Sequence, residues 1–247
     1  MSNAFLRRLQ TRANLQECDA RIIEDLCHKT RKISSKNYLS RGGQGALSFS
    51  VLLSGWAARY QIVRNGGRQI TQLLLPGDSF DFDPYSSEEA VDEIVTLCDC
   101  EIANISYAEI DRAIEVSPAI RSAMLSYGCM ENAIFASWVV NIGRRDAYER
   151  MAHLICELHH RLAIDDAGAV DGEFQFPLTQ EDLADVLGLT PVHINRKLQM
   201  LRENDVIRLR SKWMTVLNLP ALKKIAGFNP AYLTSQNSVQ ERWAVNA

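Results

Sequence analysis

Between Thr179 and Lys212 the residue types and their spacing suit the reading of a nucleic-acid duplex. Thr179 precedes Gln180-Glu181-Asp182, where its hydroxyl can cap a helix and Asp182, three residues on, can complete a capping box. Gly188 stops that helix. Leu189-Thr190-Pro191 starts a second one, with Thr190 as N-cap and Pro191 in the first helical position, and it runs to about Asn204. Two helices joined by so short a turn must cross steeply, with Leu183, Leu187, Leu189, Ile194 and Leu198 as the buried seam. Pro191, Val192, Asn195, Arg196 and Gln199 are then left on the open face. Arg196 can donate a bidentate pair to guanine, Asn195 can serve adenine or a phosphate, and Val192 can touch a thymine methyl. Thr179, Gln180, Thr190 and His193 lie near helix N-termini, where hydroxyl, amide and backbone donors suit phosphates. Beyond Asp205, two apolar runs flank Arg210-Ser211-Lys212, which reads as a hairpin wing whose basic tip presents Arg210 and Lys212.

Such a reading head needs elements to carry it. Short apolar runs broken by turn residues, at 48–53, 56–63, 68–75, 93–97 and 101–105, predict a β-sandwich or roll. Asn65-Gly66-Gly67 is expected to close one hairpin and Pro76-Gly77-Asp78 to make the next turn. From Tyr107 the apolar period lengthens to three or four, and Pro118 suits the first turn of a long helix ending near Ile142. Ile120, Met124, Tyr127, Met130, Ile134 and Trp138 form a continuous stripe, which favours a partner helix from a second copy; packing wholly within its own chain is the alternative. Gly143 is the expected hinge, and a further helical stripe runs from Tyr148 to Leu162.

Composition is that of an ordinary globular chain, 47% hydrophobic and 23% charged over 247 residues, which suits two modest domains. A net charge of −3 excludes a wholly basic coat protein but leaves room for a local patch. Between Thr190 and Lys212, Arg196, Lys197, Arg202, Arg208, Arg210 and Lys212 stand against only Glu203 and Asp205. The N-terminus lacks a secretory pattern and no apolar run is long enough to span a bilayer, so a cytoplasmic chain without a membrane role is expected. The six cysteines lack any C-x2-C pair and are expected as reduced thiols, with Cys98 and Cys100 expected to point to opposite faces of a strand and so to be poor joint ligands. His153, Cys156, His159 and His160 read as helix-surface and core residues rather than a metal site. No nucleophile elbow, P-loop or zinc-protease helix is present, so no enzyme is expected.

The run PLTQEDLADVLGLTPVHINRKLQMLRENDVI resembles the DNA-binding segment of the Crp-Fnr superfamily, and SGWAARY followed by GGRQITQLLLPGD resembles its β-roll. LTPVHINR looks most like the branch that includes the nitrogen-fixation regulators. The resemblance implies an α+β fold: a cyclic-nucleotide-binding-like β-roll with N-terminal helices (1–115), a long dimerisation helix and hinge (116–143), a winged helix-turn-helix (144–228) and a tail (229–247). It further implies a homodimer through the long helix, a palindromic double-stranded DNA operator and contact with RNA polymerase. Arg196 falls on the family's base-reading arginine, while Val192 stands where many relatives place a glutamate. Ala90 and Val91 stand where cyclic-nucleotide-binding relatives hold the phosphate with an arginine-serine pair, which argues against cAMP. Cys18 and Cys27 do not supply the cysteine cluster of the iron-sulfur relatives, and no cofactor is expected. The rival function is a β-roll sensor or adaptor acting on a protein partner without DNA.

Overall fold

The computed structural model describes residues 2–40, 48–80, 92–164 and 172–234. The chain divides into two compact units, one built mainly from residues up to 59 and from 73–132, the other from 60–72 and 133–232. Helices α1 (Ala4–Gln10) and α2 (Glu17–Leu26) lead into eight strands: β1 (Thr30–Ile33), β2 (Tyr38–Ser40), β3 (Phe49–Ser54), β4 (Ala57–Ile62), β5 (Arg68–Leu74), β6 (Ser79–Phe80), β7 (Glu93–Thr96) and β8 (Cys100–Ile105). They form two four-stranded sheets, ordered β1-β8-β3-β6 and β2-β7-β4-β5. β1, β2 and β6 fall outside the predicted runs, β2 and β6 because three and two residues are too few to alternate and β1 because Thr30, Arg31 and Lys32 leave it a single apolar residue.

Leu52, Ala57, Leu74, Phe80, Ile94, Cys100 and Ile102 make the core of this β-domain. Gly77, at φ +91°, makes the expected turn, and a Cβ there would meet the Ala4 carbonyl oxygen at 2.6 Å, so α1 can lie close against it. Arg8 of α1 is buried and pairs with the buried Asp78 at 3.1 Å. Ser106 caps α3 (Tyr107–Val116) with Glu109 answering as a capping box.

The long helix α4 (Pro118–Arg144) is where the structure departs from expectation. Ile120, Tyr127, Met130, Ile134 and Trp138 are all buried in their own chain, and Met124 is half-buried. The Tyr127 hydroxyl accepts from the Ser79 amide at 3.0 Å, and Trp138 Nε1 donates to Glu157 at 2.9 Å. That stripe is therefore consumed by the chain's own core and is not the face open to a partner. A second stripe is exposed instead, on Leu125, Gly128, Asn132, Phe135 and Val139, with Leu125 at 67% and Val139 at 60%. The helix also runs through Gly143; the break falls at Arg145-Asp146, where Asp146 Oδ1 accepts from the amides of Tyr148 and Glu149 and so starts the next helix.

In the second unit, α5 (Ala147–Ile164) is buried along most of its length. Glu157, fully buried, accepts from Trp138 and from the Tyr232 hydroxyl at 2.7 Å and pairs with Arg161 at 3.6 Å. Burial pushes its carboxyl above the usual range, against the pull of Arg161. His153 packs between Phe228, edge-on at 5.3 Å, and Tyr232, stacked at 6.3 Å. Around these lie β9 (Glu173–Gln175), α6 (Gln180–Leu187), α7 (Pro191–Glu203), β10 (Ile207–Arg210), β11 (Trp213–Val216), α8 (Leu219–Ala226) and a single 3-10 turn, Pro230–Tyr232. The tip of the β4–β5 hairpin belongs to this unit, and its turn carries Gly66 at φ +83° as expected. From it Arg68 grips α6, Nε on Asp185 at 2.6 Å and Nη2 on Asp182 at 2.8 Å, while Gln69 donates to the Asp185 carbonyl at 2.6 Å.

Two outcomes follow from this packing. Desolvation, with a smaller push from Arg145, pulls the His153 imidazole down to about 4, from about 6.5 in an unfolded chain. The unfolded state then binds the extra proton between those values, so this contribution is whole above about pH 6.5 and is lost as pH falls toward 4. Because Glu157 is shifted in the opposite sense, the test compares His153→Leu with the parent: the stability gap should move in favour of the variant between pH 7 and pH 5 in denaturant titrations, and a pH-independent gap would refute the buried neutral imidazole. For the hairpin clamp, Arg68→Ala should speed amide hydrogen exchange across α6 in line with a loss of about 1–2 kcal/mol; unchanged exchange there would mean that the clamp contributes nothing.

Candidate nucleic-acid interface

α6 opens as its sequence dictates. The Thr179 hydroxyl accepts from the Asp182 amide at 3.0 Å and Asp182 Oδ2 accepts from the Thr179 amide at 3.0 Å, closing the capping box. Asp182 thus serves twice, since its other oxygen holds Arg68. Gly188 ends the helix at φ +62°, a left-handed conformation that costs glycine little. Arg150 of α5 donates to the Leu187 carbonyl at 3.1 Å, satisfying a carbonyl that the last turn of α6 leaves open. α7 then begins with Thr190, whose hydroxyl accepts from the His193 amide at 3.4 Å, and with Pro191 in the first turn.

The seam matches expectation at Leu183, Leu187, Ile194 and Leu198, which are buried, while Leu189 is half-buried. Thr179, Gln180, Thr190, Pro191, Val192, His193, Asn195, Arg196, Gln199, Arg210 and Lys212 are all exposed. Val192 is 76% exposed. Arg196 and Asn195 form no side-chain hydrogen bond or ion pair among the described residues, so both heads are uncommitted. Gln199 differs: its amide donates to Glu203 at 2.8 Å and must leave that partner to reach a base. Lys197 is half-buried, its stem packed and its ammonium 6.0 Å from the centre of the Tyr148 ring.

The wing is a three-stranded sheet, β10-β11-β9, rather than a bare hairpin. β10 and β11 pair from Ile207 with Val216 to Arg210 with Trp213, and the tip turns on Ser211 (φ +49°) and Lys212 (φ +64°). Two non-glycine residues in the left-handed region tie the basic tip to one tight turn. At its flank Arg202, Arg208 and Arg210, with Asp205, Ile207, Leu209 and Leu217, line an open groove of about 290 Å³. Arg202 and Arg208 entered the sequence reading only as local charge. Their convergence needs the end of α7 to fold back beside β10, which no linear pattern shows.

The exposed basic side chains of α7 and the wing suit an anionic polymer. No cluster of three or more His, Cys, Asp or Glu with metal-binding geometry occurs among the described residues. Cys156 is buried, its thiol pushed up to about 12 by desolvation, and His153 is buried in its aromatic setting. Ala90, Val91 and the tail from 235 lie outside the described residues. No helix among the described residues is long and apolar enough to cross a membrane.

Comparison with known proteins agrees with this geometry. Residues 30–117 match the model of the cyclic nucleotide-binding domain and residues 149–225 that of the Crp-like helix-turn-helix domain. The chain is 26% identical over 216 residues to the fumarate and nitrate reduction regulatory protein of Yersinia pestis, covering 87% of this chain and 85% of that one. It is 26% identical over 221 residues to the anaerobic regulatory protein of Haemophilus influenzae, covering 90% and 84%. Among solved structures, FixK2 from Bradyrhizobium japonicum shares the fold with a TM-score of 0.70 at 20% identity, over 81% of this chain and 98% of that one. A transcriptional regulator of the CRP family from Thermus thermophilus does so with a TM-score of 0.61 at 15% identity, over 80% and 97%. With a β-domain, a long helix and a winged helix-turn-helix in this order, the chain belongs to the Crp-Fnr family of DNA-binding transcription regulators, whose members bind DNA rather than transform a substrate.

Proposed function

We propose that the protein binds a two-fold symmetric operator as a homodimer, with α7 in the major groove, the wing tip on the phosphate backbone, and the exposed stripe of α4 as the dimer seam. The observation that carries this reading is the free face of α7, where Arg196 and Asn195 are exposed and uncommitted beside the solvent-facing Val192. Arg196 reads guanine through O6 and N7, Val192 packs on a thymine methyl, and Thr179, Gln180, Thr190, Pro191 and His193 seat the helix ends against phosphates. Arg210 and Lys212 extend the phosphate contacts, and Arg202 and Arg208 widen the basic surface.

Leu125, Gly128, Asn132, Phe135 and Val139 recur at intervals of three and four, the spacing of a two-stranded helical seam. Nothing stands within 4 Å of where a Gly128 Cβ would be, so a second helix can approach closely there. Asn132 in the middle would favour one register. The protein would act in the cytoplasm and meet RNA polymerase through exposed loops. Ala90 and Val91, in place of an arginine-serine pair, support a response that does not depend on cAMP. The segment LTPVHINR supports placement in the nitrogen-fixation branch.

Selection of bound sequences from a random duplex library tests the whole reading: an enriched palindrome with half-sites one helical turn apart is expected, and enrichment of lone half-sites would overturn the dimer. Arg196→Ala should weaken binding to the selected site by about 1–3 kcal/mol and leave random DNA nearly unaffected; equal losses on both would remove its base-reading role. Phe135→Glu places a charge on the exposed seam without touching the chain's own core. Sedimentation should then report a monomer of unchanged secondary structure, whereas a persistent dimer would place the interface elsewhere.

A further inference from the structure

Cys98 and Cys100 were expected to act as separate thiols, and the structure brings them together. Residues two apart on an extended chain share a face, and Cys98 lies in the bend that leads from β7 into β8, at whose first residue Cys100 sits. Both sulfurs converge on one residue of the preceding turn. Cys98 Sγ accepts from the Trp56 amide at 3.2 Å, and the Cys100 thiol donates to the Trp56 carbonyl at 3.3 Å and to the Cys98 carbonyl at 3.2 Å. Gly55, at φ +83°, is packed so tightly here that a Cβ would lie 2.7 Å from Cys100 Sγ and 2.3 Å from the Asp99 carbonyl oxygen. The two thiols are thus held side by side against a rigid turn.

We propose that Cys98 and Cys100 form a redox modification site that closes to an intramolecular disulfide in response to hydroperoxides. Two residues span at most roughly 7 Å between Cα atoms, and a bend shortens this into the range of up to about 6.8 Å that disulfides use. The half-exposed Cys98 reacts first: its thiolate attacks one peroxide oxygen, the O–O bond breaks, and the products are a sulfenic acid and water. The Cys100 thiol then attacks the sulfenic sulfur, loses its proton, and expels the hydroxyl as a second water. Two thiols and one hydrogen peroxide give one disulfide and two waters. The hydrogen bond with the neighbouring Cys98 thiol, and then burial, keep Cys100 protonated, which suits it to the second step rather than the first. Loss of its S–H leaves no orphan on Trp56, because that carbonyl also accepts from the Leu97 amide at 2.8 Å.

The full-length reduced protein can be treated with stoichiometric hydrogen peroxide, alkylated under denaturing conditions, digested with trypsin and weighed. Cleavage after Arg68 and Arg112 isolates both cysteines in one peptide without any other. That peptide should refuse the alkylating agent, weigh about 2 Da less than its reduced form, and regain both thiols with dithiothreitol. The exposed Cys18 and Cys129 act as internal controls for random oxidation. In Cys100→Ser, given a second equivalent of peroxide, the Cys98 sulfenic acid should take up one more oxygen and release water, proceeding to sulfinic acid for want of a resolving thiol; in Cys98→Ser, Cys100 should remain reduced. A pair still open when Cys18 and Cys129 are oxidised, or linked to another cysteine, would overturn the site, and oxidation of Cys100 in Cys98→Ser would overturn the order.

Discussion

A helix that is apolar on two faces must be covered twice, and α4 imposes that condition on the protein. Its first stripe is covered from within, Ile120 and Tyr127 in the β-domain unit, Ile134 and Trp138 in the helix-turn-helix unit. Its second stripe, through Leu125, Phe135 and Val139, has no cover in a single chain. Each large side chain left in water forgoes about 1.5–3 kcal/mol of burial, so several in one row on a 27-residue helix form a standing drive to association. The first stripe makes the helix a structural spine of its own chain, and the second is the face on which the proposed dimer rests.

Polar groups are buried where they bind elements together. Glu157 takes hydrogen bonds from Trp138 of α4 and Tyr232 of the 3-10 turn and an ion pair from Arg161 of α5, partners that make tenable a burial that an isolated carboxylate would not survive. Around α6 the same logic applies at lower cost. Its N-terminus is closed by Thr179 and Asp182, its C-terminus by Gly188 and Arg150, and its side by Arg68. With both ends and one flank committed, α6 is a fixed platform for α7, whose outer face stays exposed.

This division accounts for the chemistry of the reading head. Arg196 and Asn195 remain uncommitted while Ile194, Leu198 and Leu201 bury the inner face of α7. The strained wing tip holds Lys212 where a more relaxed turn would let it wander. In the second unit His153, Glu157 and Cys156 are buried, and desolvation is the largest cause of the perturbed protonation of each.

By itself the sequence determined the local and the periodic. Capping boxes, Pro191, Gly188 and the turn at Gly66 act within a few residues, so Thr179, Thr190 and the open face of α7 could be placed before any fold was known. The β-domain and the long helix were legible from their periods, though β2 and β6 were too short to show one and β1 too polar. What tertiary structure alone decided was which of two apolar stripes on α4 the chain keeps for itself, since periodicity reports that a face is apolar and not what covers it. It likewise decided that the chain breaks at Arg145-Asp146 instead of Gly143, that Arg68 reaches α6, and that Arg202 and Arg208 converge beside the wing. Each of these depends on residues far apart in sequence meeting in space, and no spacing along the chain encodes such a meeting.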